Sequence, residues 1–116
     1  MLPKENRIKK KKDFEIIFKK GGSFKNSFLI LRFMNNGLEQ SRFGFVVSLK
    51  VSKKAVVRNK IKRRFAEIIK ANKEKIRNGV DLVLIALPGT EKKDFSEVKN
   101  CVDEVFTKAK LIKNNV

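Results

Sequence analysis

Residues 57–70 predict a helix that is apolar on one side and strongly basic on the other, and this pattern constrains the fold more than any other. At about 100° per residue, five apolar side chains fall within an arc of roughly 120°. They are Val57, Ile61, Phe65, Ile68 and Ile69. Most of the other face is charged, because the segment Arg58–Arg64 alone carries five cations and an asparagine. One face is therefore expected to dock on a core, and the other is left for a polyanion.

The charge of the whole chain supports a nucleic-acid partner. The 116 residues suffice for one domain, over 1–116, whose core needs no disulfide or metal. The formal net charge is +17, and residues 50–77 hold 12 Lys or Arg against Glu67 and Glu74, a local net charge of +10. Such repulsion destabilises a compact state unless a polyanion neutralises it. Nucleic acid is the default partner of a domain with this charge.

The scarcity of cysteine, the lack of histidine and the shortness of the apolar runs exclude several other classes of protein. Cys101 is the only cysteine and histidine is absent, so an internal disulfide and a cysteine-based zinc site are excluded. A reducing cytoplasm fits this composition. The longest apolar runs are far below the ~18 residues that a membrane span needs, and the N-terminus lacks the apolar core of a signal peptide. We therefore expect a cytoplasmic protein without a membrane partner.

Periodicity and turn residues predict six elements in the order α-β-β-α-β-α, after a basic, partly ordered arm over residues 1–12. They are a short helix capped by Asp13, strands over 28–34 and 42–48, a helix over 56–72, a strand over 81–87, and a helix beginning at an Asp94–Glu97 capping box. The two early strands are expected to pair antiparallel, and the unbroken apolar strand to be covered on both faces. The predicted fold is an α+β two-layer sandwich on a small mixed sheet.

Several separated motifs also carry a family resemblance. They are Asn6–Lys10, Asp13-Phe14 with Phe18, Gly44, Val46–Ser48, Ala55–Arg63 after a basic loop, and the strand Asp81–Ala86. Together they resemble the signature of the bacterial ribonuclease P protein subunit over essentially the whole chain. The resemblance implies a small basic protein that binds a large catalytic RNA and helps it remove the 5′ leader from precursor transfer RNA. It also implies a left-handed β-α-β crossover in the fold.

The same resemblance implies two RNA-binding surfaces. The one expected to bind the catalytic RNA consists of Lys53, Lys54, Arg58, Asn59, Lys60, Lys62, Arg63 and Arg64. The one expected to form a cleft for the leader consists of Lys10, Lys12, Phe14, Phe18 and Ser48. No catalytic residue, metal ligand or cofactor is expected on the protein, because the RNA performs the hydrolysis and would hold the Mg²⁺. DNA is not an expected partner.

One of these assignments has a simpler alternative, and others are affected by departures from the family pattern. Phe14 and Phe18 lie four residues apart, a spacing typical of core residues in a helix, so one ring edge could be buried while a face stays open to a base. Several positions depart from the family pattern, among them Leu49 and Lys60, where a basic residue or arginine is usual, and Ala66 and Leu87, where arginine is common. Lys60 keeps the charge but loses the planar fork that binds phosphate in a bidentate manner.

Two other functions compete with this interpretation. An independent enzyme is disfavoured because histidine is absent and no acidic motif has the spacing of a metal site. A ribosomal or other structural RNA-binding protein explains the charge and the size equally well. Only the extended motif match separates that alternative from the ribonuclease P subunit.

Overall fold

The computed structural model describes residues 2–112, and the predicted elements occur in it in order with one additional strand. The helices are α1 (Lys11–Lys20), α2 (Ala55–Asn72) and α3 (Phe95–Lys108), and the strands are β1 (Gly22–Lys25), β2 (Leu29–Asn35), β3 (Arg42–Val46) and β4 (Val80–Ala86). The pattern did not reveal β1, because all four of its residues are exposed and show no alternation. Met1 and residues 113–116, which the predicted domain includes, lie outside the described residues.

The four strands form one mixed sheet in the order β1-β2-β4-β3. β2 is antiparallel to both of its neighbours, whereas β3 is parallel to β4. The predicted antiparallel pairing of residues 28–34 with 42–48 is therefore wrong, because β4 lies between these strands. Every β4 residue except Ile85 is buried, and a strand with two apolar faces gains most from a central position. The left-handed sense of the β3-α2-β4 crossover stays a prediction.

Helices cover the two faces of the sheet unequally. On one face, α2 and α3 pack over Leu82 and Leu84, with Phe65 and Phe106 fully buried between the layers. This part confirms the α+β sandwich. On the other face, α1 covers Val83 with the buried side chain of Ile17, and the rest of that face has only partial cover. The uncovered part is where the structure leaves room for a ligand.

The ends of two helices test the predicted caps. The Asp94 carboxylate accepts from the Glu97 N–H at 2.8 Å and the Glu97 carboxylate accepts from the Asp94 N–H at 3.3 Å, which confirms the capping box. Asp13 is not the cap of α1, because the helix begins at Lys11 and Lys10 occupies the capping position without a side-chain bond. The Asp13 carboxylate lies 3.4 Å from the Arg42 guanidinium instead. An ion pair to β3 has replaced the expected local cap.

Arg42 joins α1, β3 and β4 through a partly buried ion network. Its Nη2 and Nε donate to the two carboxylate oxygens of Asp81 at 2.6 and 2.9 Å. This hydrogen bonding with Asp81 raises the pKa of the Arg42 guanidinium. The Asn36 side-chain amide donates to the same carboxylate at 2.8 Å. The buried Asp81 is thus fully engaged by partners from two other segments.

The N-terminal segment packs more closely than its polar sequence suggests. Leu2, Asn6 and Ile8 are buried. The Ile8 N–H donates to the Phe43 carbonyl at 2.9 Å, and the Asn6 amide donates to the Ser41 carbonyl at 2.9 Å. The segment therefore covers the outer edge of β3 only as far as Phe43. Within residues 2–112, no helix is both long and apolar enough to cross a bilayer.

Candidate nucleic-acid interface

α2 presents the predicted division into an apolar and a basic face. Its apolar side is buried against the sheet and α3, apart from Val57, which is half-buried. Asn59, Lys60, Lys62 and Arg63 are exposed on the other side, and Lys53 and Lys54 are exposed in the loop that precedes the helix. Within residues 2–112, the side-chain nitrogens of these five cations have no hydrogen-bond or ion-pair partner among the protein atoms.

Arg58 and Arg64 differ from the other cations because each also binds the protein. Both are half-buried. Arg58 Nη1 donates to the Ser52 carbonyl at 2.9 Å, and Arg64 Nη1 donates to the Lys93 carbonyl at 2.7 Å. Arg58 thereby holds the basic loop and Arg64 holds the segment before α3. A guanidinium has five N–H donors, so each arginine retains donors for an external phosphate.

The N-terminus of α2 has the character of an anion site. Lys54 occupies the capping position without a side-chain cap, and the first turn contains no acidic residue. Free N–H groups and the helix dipole favour negative charge at such an end. Lys53, Lys54 and Arg58 add full positive charges there. This end and the exposed face of α2 form one continuous basic surface, which we call the α2 surface.

Phe14 and Phe18 form an aromatic pair beside the uncovered part of the sheet. Their ring centroids are 6.4 Å apart. Phe14 is half-buried and, like Val46 and Ile85, packs against the buried cluster of Ile8, Ile17 and Val83, whereas Phe18 is 40% exposed. The two rings, Val46 and Ile85 are the residues that we call the aromatic cleft. Phe14 therefore contributes both to the core and to an open surface, as the sequence allowed.

Gly44 is needed for the position of the Phe14 ring. A Cβ at Gly44 would lie 2.7 Å from that ring. Gly44→Ala should push the ring toward the cleft opening and destabilise the fold by roughly 1–3 kcal/mol, as overpacking does. Urea unfolding followed by far-UV circular dichroism measures this loss. Gly37→Ala is not a suitable control, because φ is +71° there. Ser23→Ala on exposed β1 serves as the control. An equal loss of stability in the Gly44 and Ser23 variants would contradict this role of Gly44.

Arg32 supports the aromatic cleft, and this role was not predicted from the sequence. Its guanidinium donates to the carbonyls of Ile17 and Phe18 at the end of α1 and lies 6.0 Å from the Phe18 ring centroid. Within the described chain, its buried Nε has no partner. The available signal was a single cation inside the apolar strand 28–34. Arg32 holds the end of α1, and with it Phe18, against β2.

The other predicted cleft residues lie around this site at different places. Lys10 and Lys12 are exposed at the start of α1, four and two residues before Phe14. Ser48 is exposed two residues beyond the end of β3, where its carbonyl accepts from the Val51 N–H at 3.1 Å. The structure thus places the lysines at the N-terminal end of the helix that carries the two rings, and the serine in the turn that leads to the basic loop.

A pocket of about 380 Å³ connects the two predicted surfaces at the outer edge of β3, and we call it the edge pocket. Phe14 from the aromatic cleft lines it on one side, and Asn59, Lys62 and Arg63 from α2 line it on the other. The N-terminal segment and β3 supply the rest of its wall. Sequence spacing could not show this contact, because the two sets of residues are more than 40 positions apart.

Four of the departures from the family pattern occupy unlike environments. Lys60 and Leu49 are exposed, with Leu49 at 65%. Leu87 is half-buried and its N–H donates to the Phe28 carbonyl at 2.8 Å. Ala66 is buried and lines the edge pocket. Only Lys60 belongs to the exposed face of α2, so only there does the change bear on the α2 surface directly.

Comparisons with known proteins agree with this arrangement. The sequence model of the family described as Ribonuclease P matches residues 2–110. The ribonuclease P protein component of Alkaliphilus metalliredigens is 37% identical over 111 residues, covering 96% of this chain and 99% of the relative. That of Clostridium kluyveri is 41% identical over 109 residues, covering 92% of this chain and 96% of the relative.

A solved structure shares the fold over nearly the whole length. The Staphylococcus aureus RNase P protein at 2.0 Å superposes with a TM-score of 0.87 and 35% sequence identity. The match covers 93% of this chain and 98% of the other. The shared fold therefore includes the sheet and the three helices.

Proposed function

This chain belongs to the ribonuclease P protein family, and from that premise we propose how its surfaces are divided between two RNA molecules. Its function is that of the protein component of ribonuclease P, the endoribonuclease of transfer RNA 5′ maturation, in which the catalytic RNA performs the chemistry. Its partner is therefore RNA. We assign the α2 surface to the catalytic RNA and the aromatic cleft to the 5′ leader of precursor transfer RNA.

The five cations of the α2 surface that have no partner among residues 2–112 support the first assignment. Lys53, Lys54, Lys60, Lys62 and Arg63 lie on one loop and one helix face, where like charges repel each other by a few tenths of a kcal/mol per pair. A folded RNA presents phosphates that would remove this repulsion. The uncapped N-terminus of α2 offers N–H groups to one of those phosphates as well. Arg58 and Arg64 would contribute through the donors that the backbone carbonyls leave free.

The half-buried Phe14 ring and the exposed Phe18 ring, beside the uncovered part of the sheet, support the second assignment. Aromatic faces stack on any base and so tolerate sequence variation, as a leader that differs among transfer RNAs requires. Lys10 and Lys12 would bind the leader phosphates as point charges. Ser48 would lie at the far end of this path, past the end of β3. The alternative of a structural RNA-binding protein is not favoured, because the matched relatives are ribonuclease P components.

The proposal also covers the binding site of Mg²⁺ and the location of the protein in the cell. We expect Mg²⁺ to be bound by the RNA subunit, where it would activate the attacking water and stabilise the leaving oxygen. In the described part of the chain, no group of three or more His, Cys, Asp or Glu could hold a metal ion. The protein would act by screening the repulsion between the two RNAs, so its effect should be largest at low Mg²⁺. A cytoplasmic location belongs to the same proposal.

The test is reconstitution with a bacterial ribonuclease P RNA. At low Mg²⁺, adding the purified protein should raise the rate of 5′ cleavage of precursor transfer RNA, measured by gel analysis of the released leader. The stimulation should fall as the salt concentration rises, since phosphate binding is salt-dependent. Binding of the RNA without any stimulation of cleavage would instead support a purely structural RNA-binding protein.

The Phe18→Ala variant tests whether the two surfaces bind different RNA molecules. Loss of one base-stacking ring should weaken binding of precursor transfer RNA to the ribonucleoprotein by about 5- to 10-fold, which corresponds to a stacking energy of ~1–1.4 kcal/mol. Binding of mature transfer RNA and of the catalytic RNA should not change. Phe95→Ala on α3 is the matched control, because both rings are 40% exposed. Equal losses for precursor and mature transfer RNA would contradict the assignment of the cleft.

A further inference from the structure

The edge pocket combines an apolar interior with a polar and cationic rim. Leu2, Ile8, Phe14 and Phe43 contribute apolar and aromatic walls. Asn59, Lys62 and Arg63 from α2 supply polar and cationic groups, and the N-terminal segment adds one further cation, Arg7. Its volume of about 380 Å³ lies within the range of small-ligand sites, ~300–1,000 Å³. This distribution suits a ligand with a flat apolar body and an anionic end.

The edge of β3 adds hydrogen-bonding groups to the pocket wall. The Phe43 carbonyl points outward and accepts from the Ile8 N–H. Because strand residues alternate, the N–H and C=O of Gly44 point toward β4, and those of Phe45 point outward again. Within residues 2–112, no backbone group pairs with Phe45 on that side. One donor and one acceptor therefore remain free beside the apolar walls.

The length of this open edge decides which ligand it suits. A peptide that adds a strand needs several consecutive residues of free edge. Here the N-terminal segment covers Phe43, and β3 ends at Val46, so only Phe45 presents an outward pair. A single donor–acceptor pair is too little for an added strand. It matches the hydrogen-bonding edge of one nucleobase, which presents donors and acceptors side by side.

We propose that the edge pocket binds one unstacked nucleotide of an RNA strand that lies on the α2 surface. The base would enter between the aromatic walls, its edge would pair with the Phe45 backbone or the Asn59 amide, and its phosphate would bind Lys62 and Arg63. The proposal rests on the assignment of the α2 surface to the catalytic RNA. It adds a site that recognises a base, whereas the cations alone recognise only phosphates.

Nucleotide titration of the full chain tests whether a base enters the pocket. Adenosine 5′-monophosphate and ribose 5-phosphate, which lacks the base, are added separately to ¹⁵N-labelled protein at low salt. In NMR spectra, the nucleotide should shift the Phe45 and Ala66 amide signals. Its base protons should also show nuclear Overhauser contacts with the Phe14 and Phe43 rings. Ribose 5-phosphate should shift only signals near Lys62 and Arg63. Equal effects of the two ligands on the Phe45 amide would overturn the proposal.

Filling the pocket tests whether an RNA strand supplies the nucleotide. Ala66→Leu places a larger side chain in the pocket wall without changing any charge, and Ala71→Leu makes the same change at an exposed position of α2 outside the pocket. Ala66→Leu should weaken binding of both adenosine 5′-monophosphate and the catalytic RNA by roughly tenfold relative to Ala71→Leu. Weaker binding of the free nucleotide alone would overturn the RNA strand as the occupant.

These outcomes remain distinct from a failure of the proposed function. If Ala66→Leu binds the catalytic RNA and stimulates cleavage as the unchanged chain does, the pocket proposal fails and the α2 assignment stands. If the unchanged chain does not stimulate cleavage, the proposed function fails first. Should Ala66→Leu not fold, the base-proton contacts of the unchanged chain still decide the question.

Discussion

Replacing Lys60, Lys62 and Arg63 together with alanine should weaken binding to the catalytic RNA on the order of 10²-fold near 0.15 M salt. Each phosphate contact contributes about 0.7–0.9 to the slope of log K against log salt. Loss of three contacts should therefore lower the magnitude of that slope by about 2–3. Filter binding across a series of salt concentrations measures both quantities. Far-UV circular dichroism should show an unchanged fold, since all three side chains are exposed.

The matched control removes the same charge elsewhere. Lys25 on β1 and Lys99 and Lys108 on α3 lie outside the α2 surface, and the last two form only exposed ion pairs with Asp103 and Glu104. Changing these three lysines to alanine should leave the salt slope nearly the same, because their side chains are not assigned to phosphates. Equal losses in the two triple variants would mean that net charge, and not the α2 surface, governs binding.

Asp81→Asn should lower the free energy of unfolding by roughly 2–4 kcal/mol. Breaking a buried ion pair leaves an uncompensated charge and costs ~3–5 kcal/mol, and the expected value is lower here because Arg42 is about a quarter exposed and keeps Asp13. Denaturant unfolding must be followed by far-UV circular dichroism, since the chain has neither tryptophan nor tyrosine as a fluorescent reporter.

Two further variants separate the charge effect from general damage to the fold. Asp103→Asn makes the same change in an exposed helix pair with Lys99 and should cost no more than about 0.5 kcal/mol. Asp81→Asn combined with Arg42→Met removes both charges of the Arg42–Asp81 pair and should recover a large part of the loss. If the double variant is less stable than Asp81→Asn alone, the uncompensated charge of Arg42 is not the cause.

The elements that could be predicted from sequence are those whose signal is local. The amphipathic α2, the Asp94–Glu97 capping box and the buried strand β4 each depend on residues within one segment, and all three are confirmed. β1 was missed because an exposed four-residue edge strand lacks alternation. Asp13 was taken for a cap because a free carboxylate favours that position, but in the fold Arg42 competes for it.

For the candidate site, too, only features with a local signal could be predicted from the sequence. The sequence indicated Phe14, Phe18 and the α2 cations, because aromatic residues and clustered charges are visible in one dimension. Arg32, which holds the end of α1, and the N-terminal residues that wall the edge pocket were not found. Their roles depend on residues that are far away in the chain. Arg58 and Arg64 likewise looked like free cations until the structure showed the carbonyls of Ser52 and Lys93 beside them.

From composition and pattern alone, the chain can be recognised as a basic α+β protein with a cationic helix, and its motifs are sufficient to indicate the family. Composition and periodicity carry that information because burial and charge act residue by residue. The position of β4 between β2 and β3, and the meeting of Phe14 with Asn59, Lys62 and Arg63 in one pocket, are visible only in three dimensions. Strand order and pocket walls arise from the burial of whole elements against each other, and local spacing does not record that choice.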